Sequence, residues 1–212
     1  MKKKLRGLYA ITNGSFGEKK KWLSDIENAI KGGVKIIQYR SKTNDEEFEI
    51  RRAGLLKRLC EKHNCILIIN DNAVLAKKIN ADGLHVGKND ISINKAKKIL
   101  GENSIIGVSC YNDLGRARSA EKNNASYVAF GSFFQSMTKP DAVSADIKIL
   151  KRAKSELGIP ICAIGGINRE NAKDVINAGV DMIALMSGIF LVSDINHEAR
   201  HISSLFNKSR LL

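Results

Sequence analysis

Eight short apolar runs, each bounded by glycine, asparagine or charged residues, divide the chain so regularly that few architectures can hold them. They are GLYAIT (7–12), VKIIQYR (34–40), ILIIN (66–70), DGLHV (82–86), SIIGVS (104–109), SYVAFG (126–131), IPICAIGG (159–166) and MIALMS (182–187). Rich in Val and Ile and mostly apolar at consecutive positions, they predict strands covered on both faces. The stretches between them carry apolar residues at helical spacing, as in Ile26, Ala29 and Ile30, then Leu55, Leu56 and Leu59, and later Ala172, Val175 and Ile176. Gly32-Gly33, Asn64, Asn80, Gly101, Asn123-Asn124, Gly158 and Gly179 stand where these helices should end, and such residues suit a helix C-terminal cap. Eight units of this kind predict an α/β chain folded as one (β/α)8 TIM-barrel domain over residues 1–212, with a doubly wound open sheet as the alternative.

A barrel of this type carries its chemistry at the C-terminal ends of the strands and in the loops that follow them. Polar residues stand at those places. Gln38, Arg40 and Lys42 alternate at the end of the second strand, either as a basic fork able to grip a diphosphate or as a solvated strand end. Asn70 and Asp71 follow the third strand, where Asp71 is either a ligand or a helix N-cap. The fourth strand ends in HVGKND, with His85 as a core histidine or a site residue, and Asp90 as a cap or a partner of Asp71. Two carboxylates from adjacent loops, completed by substrate phosphates and water, are a usual way of holding Mg²⁺. Ser109 ends the fifth strand; Gly165-Gly166 and Ser187-Gly188 end the last two, where glycines let backbone N–H groups approach an anion and residues 188–192 could form a short helix.

One connection is unlike the rest. FGSFFQSMTKPDAVSAD (130–146) interrupts the alternation with a long polar stretch offering Ser136, Thr138 and Lys139. Loops beyond about 12 residues are usually functional or disordered, and this one reads as an anion clamp over a site at the strand ends.

The formal net charge of +13 favours an anionic partner: nucleic acid, a membrane surface or a phosphorylated metabolite. The lysines cluster as Lys19-Lys20-Lys21, Lys77-Lys78 and Lys97-Lys98 without interleaved aromatics, which reads as solvated helix faces and not as an RNA-binding surface. Cys60, Cys65, Cys110 and Cys162 form no metal-spaced cluster and read as reduced thiols, so a cytoplasmic location is expected. No apolar run has the length of a membrane span or a signal-peptide core.

Taken together, LYAIT, IQYRSK, IINDN, ADGLHVGKND, GVSC, YVAFGSFFQSMTK, AIGGI and ALMSGI resemble the thiamine phosphate synthase family over nearly the whole chain. The resemblance implies a transferase that joins 4-amino-2-methyl-5-hydroxymethylpyrimidine diphosphate to 4-methyl-5-hydroxyethylthiazole phosphate, with Mg²⁺ as cofactor and pyrophosphate as the second product. It implies further that Gln38, Arg40, Lys42, Asn70, Ser109 and Lys139 face the diphosphate end of the pyrimidine substrate, with Arg40, Lys42 and Lys139 catalytic, and that His85 lies near its ring. Asp71 and Asp90 take the place of the magnesium ligands, and Ser136, Thr138, Gly166 and Ser187 that of the thiazole phosphate site. Lys88, Asn72, Ser136 and Ala145 depart from the usual glutamine, arginine, threonine and glycine.

Two rivals accompany this reading. A thiazole tautomerase on the same fold makes no carbon–nitrogen bond and has no need of a carboxylate pair with a full diphosphate grip; retention of Asp71, Asp90, Arg40, Lys42 and Lys139 favours the synthase. A basic RNA-binding barrel would bind polynucleotides with a steep salt dependence. The partners expected are the two small substrates, without nucleic acid or membrane, and a homo-oligomer is compatible with the sequence.

Overall fold

The computed structural model describes residues 5–12, 19–43, 45–135 and 145–208. Each of the eight apolar runs forms a strand: β1 (Gly7–Ile11), β2 (Ile36–Tyr39), β3 (Ile66–Asn70), β4 (Gly83–Val86), β5 (Ile105–Tyr111), β6 (Tyr127–Phe130), β7 (Ile161–Ile164) and β8 (Met182–Leu185). All pair in parallel and in chain order, and β8 returns to β1, so the sheet closes into the expected barrel. The intervening helices are α1 (Lys19–Lys31), α2 (Glu46–Lys62), α3 (Ala73–Lys78), α4 (Ile93–Leu100), α5 (Leu114–Lys122), α6 (Lys148–Glu156) and α7 (Ala172–Asn177). A single turn, α8 (Ser187–Phe190), and the closing α9 (Ile195–Lys208) follow β8.

The strands are apolar throughout because each contributes to two cores. One set of side chains, among them Leu8, Ile37, Leu67, Leu84 and Val128, packs under the helices. The alternate set, including Tyr9, Ile36, Ile68, Tyr127, Cys162 and Met182, fills the barrel interior. The helices meet the sheet through small residues: Ala53, Ala76, Ala96, Ala117 and Ala153 have no exposed surface, which lets each helix axis lie close to the strands. Complete burial of an Ile or Leu in either core contributes on the order of 2 kcal/mol, so the two faces together outweigh the modest propensity of short helices such as α3 and α7.

The N-terminal end of the barrel is built for stability. Asn80, Asn124 and Gly179 close their helices with positive φ, and each is followed two residues later by a polar side chain that accepts from the backbone of the preceding strand. Asp82 accepts from Leu67 N at 2.8 Å, Ser126 from Ile106 N at 3.0 Å and Asp181 from Ile161 N at 2.9 Å. These contacts satisfy strand N–H groups at the bottom of the barrel that would otherwise be buried without a partner. Gly158 behaves differently from the other predicted caps: Leu157 is already extended after α6, and Gly158 N donates to Glu121 Oε1 at 2.7 Å.

Among the described residues, no helix is long and apolar enough to cross a membrane. All four cysteines are buried, and none forms a disulfide.

Candidate active site

The C-terminal strand ends gather most of the polar residues singled out in the sequence. Along the end of β2, exposure rises stepwise: Gln38 is buried, Arg40 half-buried and Lys42 exposed. The barrel end therefore offers one amide inside and two cations progressively nearer to solvent. Thr12 fixes the main chain of Arg40 by accepting from its N–H at 2.9 Å and donating to its carbonyl at 3.0 Å.

Asn70 and His85 are direct partners in the β3–β4 register, which sets the loops bearing Asp71 and Asp90 side by side. Neither aspartate caps a helix. Asn72 caps α3 by accepting from Leu75 N at 2.9 Å, and Ser92 caps α4 by accepting from Lys95 N at 3.3 Å. Asp71 sits at φ 60°, a left-handed conformation uncommon for a residue with a Cβ, and is held there by its N–H donating to the His85 carbonyl at 2.9 Å. Asn70 Nδ2 donates to Asp71 Oδ2 at 2.6 Å, while Asp90 Oδ2 accepts from Gly87 N at 2.7 Å.

The two carboxyl groups lie close enough to act on each other electrostatically. Partial loss of water and the neighbouring Asp90 push the Asp71 carboxyl up to about 6, against the opposing influence of Asn70 and of the nearby Arg40 charge. Like charges brought this close have the chemistry of a hard-cation site: oxygen donors that a divalent ion would pull together and that substrate oxygens and water would complete. Among the described residues no third His, Cys, Asp or Glu joins them.

Deeper in the barrel, His85 Nε2 lies 2.8 Å from Ser109 Oγ and its Nδ1 lies 2.9 Å from the Tyr127 hydroxyl. Burial lowers the His85 imidazole to about 4, with the Asp90 charge acting weakly the other way, so the ring is neutral at physiological pH. A buried base with its pKa depressed from an ordinary value near 6.5 contributes full stability above that value and loses it as pH falls towards about 4. Asp71, raised in the folded state, has the opposite slope over part of the same window, so the signature is a difference. His85→Gln should flatten the decline of unfolding free energy between pH 6.5 and 4 relative to wild type, by up to about 1.4 kcal/mol per pH unit. Parallel curves from denaturant titrations would contradict it.

Three contributors escape a reading of the sequence. Tyr9 and Tyr127 lie inside apolar runs and look like core, yet both point into the barrel and hydrogen-bond to each other at 2.9 Å. Gly107 was the available signal for the second: a glycine in the middle of a strand marks a close approach, and a Cβ there would lie 2.0 Å from Tyr127 Cζ. Arg116, one cation among many in the sequence, ties two site loops together by donating from Nε to the Ser109 carbonyl at 2.7 Å and from Nη2 to the Gly87 carbonyl at 2.9 Å.

On the other side of the barrel mouth, Gly165 and Gly166 adopt φ 103° and 65°. A Cβ on Gly166 would lie 2.5 Å from the Gln135 carbonyl oxygen, and one on Gly188 would lie 2.6 Å from that of Ile167. Glycine at both places allows the loop after β7 to touch both the chain leaving β6 and the start of α8, where Ser187 stands. Asn171 holds that loop by donating from Nδ2 to the Gly166 carbonyl at 3.0 Å. Ser136, Thr138 and Lys139 lie outside the described residues, but the chain on either side of them is fixed: Phe134 N donates to the Gly165 carbonyl at 3.1 Å, and Ala145 N to the Ser132 carbonyl at 2.6 Å.

The family described as thiamine monophosphate synthase matches residues 8–189, nearly the whole barrel. The chain belongs to this family. Among its relatives, the thiamine-phosphate synthase of Nitrosospira multiformis is 44% identical over 207 residues, covering 98% of this chain and 88% of the relative. That of Nitrosomonas eutropha is 45% identical over 213 residues, covering 96% and 95%. The solved structure of thiamine phosphate pyrophosphorylase from Pyrococcus furiosus superposes with a TM-score of 0.86 at 30% identity and covers 96% of each chain. Family membership thus agrees with the fold.

Proposed function

We propose that the chain is a thiamine phosphate synthase, a transferase joining 4-amino-2-methyl-5-hydroxymethylpyrimidine diphosphate to 4-methyl-5-hydroxyethylthiazole phosphate with release of pyrophosphate. The observation that carries this reading is the placing of Asp71 and Asp90 on adjacent loops beside the Arg40 charge, within a chain that matches the family over residues 8–189. Asp71 and Asp90 would hold Mg²⁺, which when bound supplies Lewis-acid neutralisation of diphosphate oxygens.

The chain's own residues meet the remaining demands of the reaction. As the C–O bond to the diphosphate breaks, negative charge collects on the leaving group, and Arg40, Lys42 and Lys139 offset it. Gln38 and Asn70 orient the pyrimidine diphosphate, and Ser109 donates to it. Positive charge grows on the pyrimidine methylene, and the neutral state of His85 keeps a competing cation away from that carbon. The thiazole nitrogen then supplies the electron pair for the new C–N bond, with Ser136, Thr138, Gly166 and Ser187 holding the thiazole phosphate. No protein nucleophile or general base is required. We assign the reaction to the cytoplasm, consistent with four buried cysteines outside any disulfide.

Titration with inorganic pyrophosphate tests the diphosphate grip. Affinity should rise by about tenfold or more when Mg²⁺ is added, because the ion that Asp71 and Asp90 would hold would offset the charge of the ligand. Pyrophosphate binding indifferent to Mg²⁺, together with polynucleotide binding that falls steeply with salt, would favour the RNA-binding barrel instead.

A further inference from the structure

A single file of hydrogen bonds crosses the barrel interior. Gln38 Nε2 lies 2.7 Å from the Tyr9 hydroxyl, Tyr9 lies 2.9 Å from the Tyr127 hydroxyl, Tyr127 lies 2.9 Å from His85 Nδ1, and His85 Nε2 lies 2.8 Å from Ser109 Oγ. The four contacts link strands β2, β1, β6, β4 and β5. Tyr9 and Tyr127 have 1% and 0% of their surface exposed, so water cannot replace a missing partner.

Donor counting gives this file a direction. The Gln38 amide nitrogen can only donate, so the Tyr9 oxygen accepts, and the Tyr9 proton has the Tyr127 oxygen as its partner. Tyr127 then spends its own proton on His85 Nδ1. A neutral imidazole that accepts at Nδ1 carries its proton on Nε2, and that proton goes to Ser109 Oγ. The Ser109 hydroxyl proton finds no acceptor among the described residues, at the open end of β5. The reverse direction would leave the buried Tyr9 proton without an acceptor for as long as the Gln38 nitrogen faces it. Burial also holds both phenols protonated, so each keeps the proton it passes along the file.

The packing is specific to this arrangement. His85, Gly107 and Tyr127 are successive register partners across β4, β5 and β6, and the absence of a side chain at Gly107 lets the Tyr127 ring lean over β5 to reach the imidazole.

We infer that Tyr9 and Tyr127 are positioning residues that lock His85 in its Nε2–H tautomer and thereby hold the Ser109 hydroxyl as a hydrogen-bond donor to the departing diphosphate. The inference rests on the synthase reading for the identity of the acceptor. The lock itself is a property of the file. Neither tyrosine touches the reacting atoms, and their effect on rate passes entirely through Ser109.

The test combines ¹⁵N NMR of the imidazole with a double-mutant cycle. In the wild type, ligand-free and with the pyrimidine diphosphate bound, His85 should show a protonated Nε2 and a bare Nδ1. Tyr127→Phe should mix the tautomers and lower kcat by about tenfold, a fraction of the effect of removing an oxyanion donor outright. In a Ser109→Ala background the same substitution should cost nothing further in kcat. Tyr9→Phe serves the same comparison if Tyr127→Phe fails to fold. An Nδ1–H tautomer in the wild type, or an equal loss from Tyr127→Phe in both backgrounds, would overturn the inference. No pyrophosphate release by a wild type that shows the Nε2–H tautomer would instead remove the functional reading and leave the lock standing.

Discussion

Asp90→Asn should lower kcat by about 10²- to 10³-fold while leaving the fold intact, the largest effect on turnover that the site predicts from one atom. The amide is nearly isosteric and still offers an oxygen to the Gly87 N–H, which Asp90 Oδ2 now accepts at 2.7 Å, so the loop after β4 keeps its shape. What disappears is one of the two negative charges that meet at the barrel mouth. Unfolding free energy should stay within about 0.5 kcal/mol of wild type, since a surface change that also relieves like-charge contact has no route to a large loss. The measurement is turnover across a Mg²⁺ titration, with thermal unfolding as the control. Near-wild-type turnover at limiting Mg²⁺ would remove Asp90 from the proposed cation site.

Gly107→Ala should be among the most damaging methyl groups that the barrel can receive. Its Cβ would lie 2.0 Å from Tyr127 Cζ and 2.4 Å from the hydroxyl oxygen, distances that no rotamer adjustment of alanine can relieve. Moving the ring breaks its bonds to Tyr9 and His85, which leaves buried polar atoms unpaired in addition to the steric cost. Overpacking and lost hydrogen bonds together predict destabilisation of about 3 kcal/mol, equivalent to a fall in Tm of about 10 °C for a chain of this size. Gly54→Ala is the matched control. It lies within α2 with no atom near the position of an added Cβ, so alanine there should stabilise by up to about 1 kcal/mol through helix propensity. Equal effects of the two substitutions would mean that glycine at 107 is not required by the ring.

These two positions also show what was legible in the sequence. The barrel was legible because every strand is a bounded apolar run and most helices announce their ends, as at the left-handed Asn64, Asn80 and Asn124. The short recurring device at the N-terminal end, in which Asp82, Ser126 or Asp181 accepts from a strand N–H, was invisible as a repeat because only one side chain per unit is involved. At the site, residue type and place in the eightfold pattern were enough to single out Arg40, Asp71, His85 and Asp90. The division of labour between Asp71 and Asn72 was not, since either residue can cap a helix, and only the backbone at φ 60° decides that Asn72 does so. Tyr9 and Tyr127 were hidden for a different reason: a strand that is apolar on both faces does not reveal which of its residues look inward. Gln38 and His85, polar residues on that inward face, define it once the register is known.

The most direct test of the central claim is pyrophosphate release from the purified protein given both the pyrimidine diphosphate and the thiazole phosphate, repeated with each substrate and with Mg²⁺ omitted in turn. Release that requires all three, accompanied by thiamine phosphate, is the predicted result. Binding of thiazole phosphates with no pyrophosphate released under any combination would contradict the account and point to the tautomerase reaction on the same barrel.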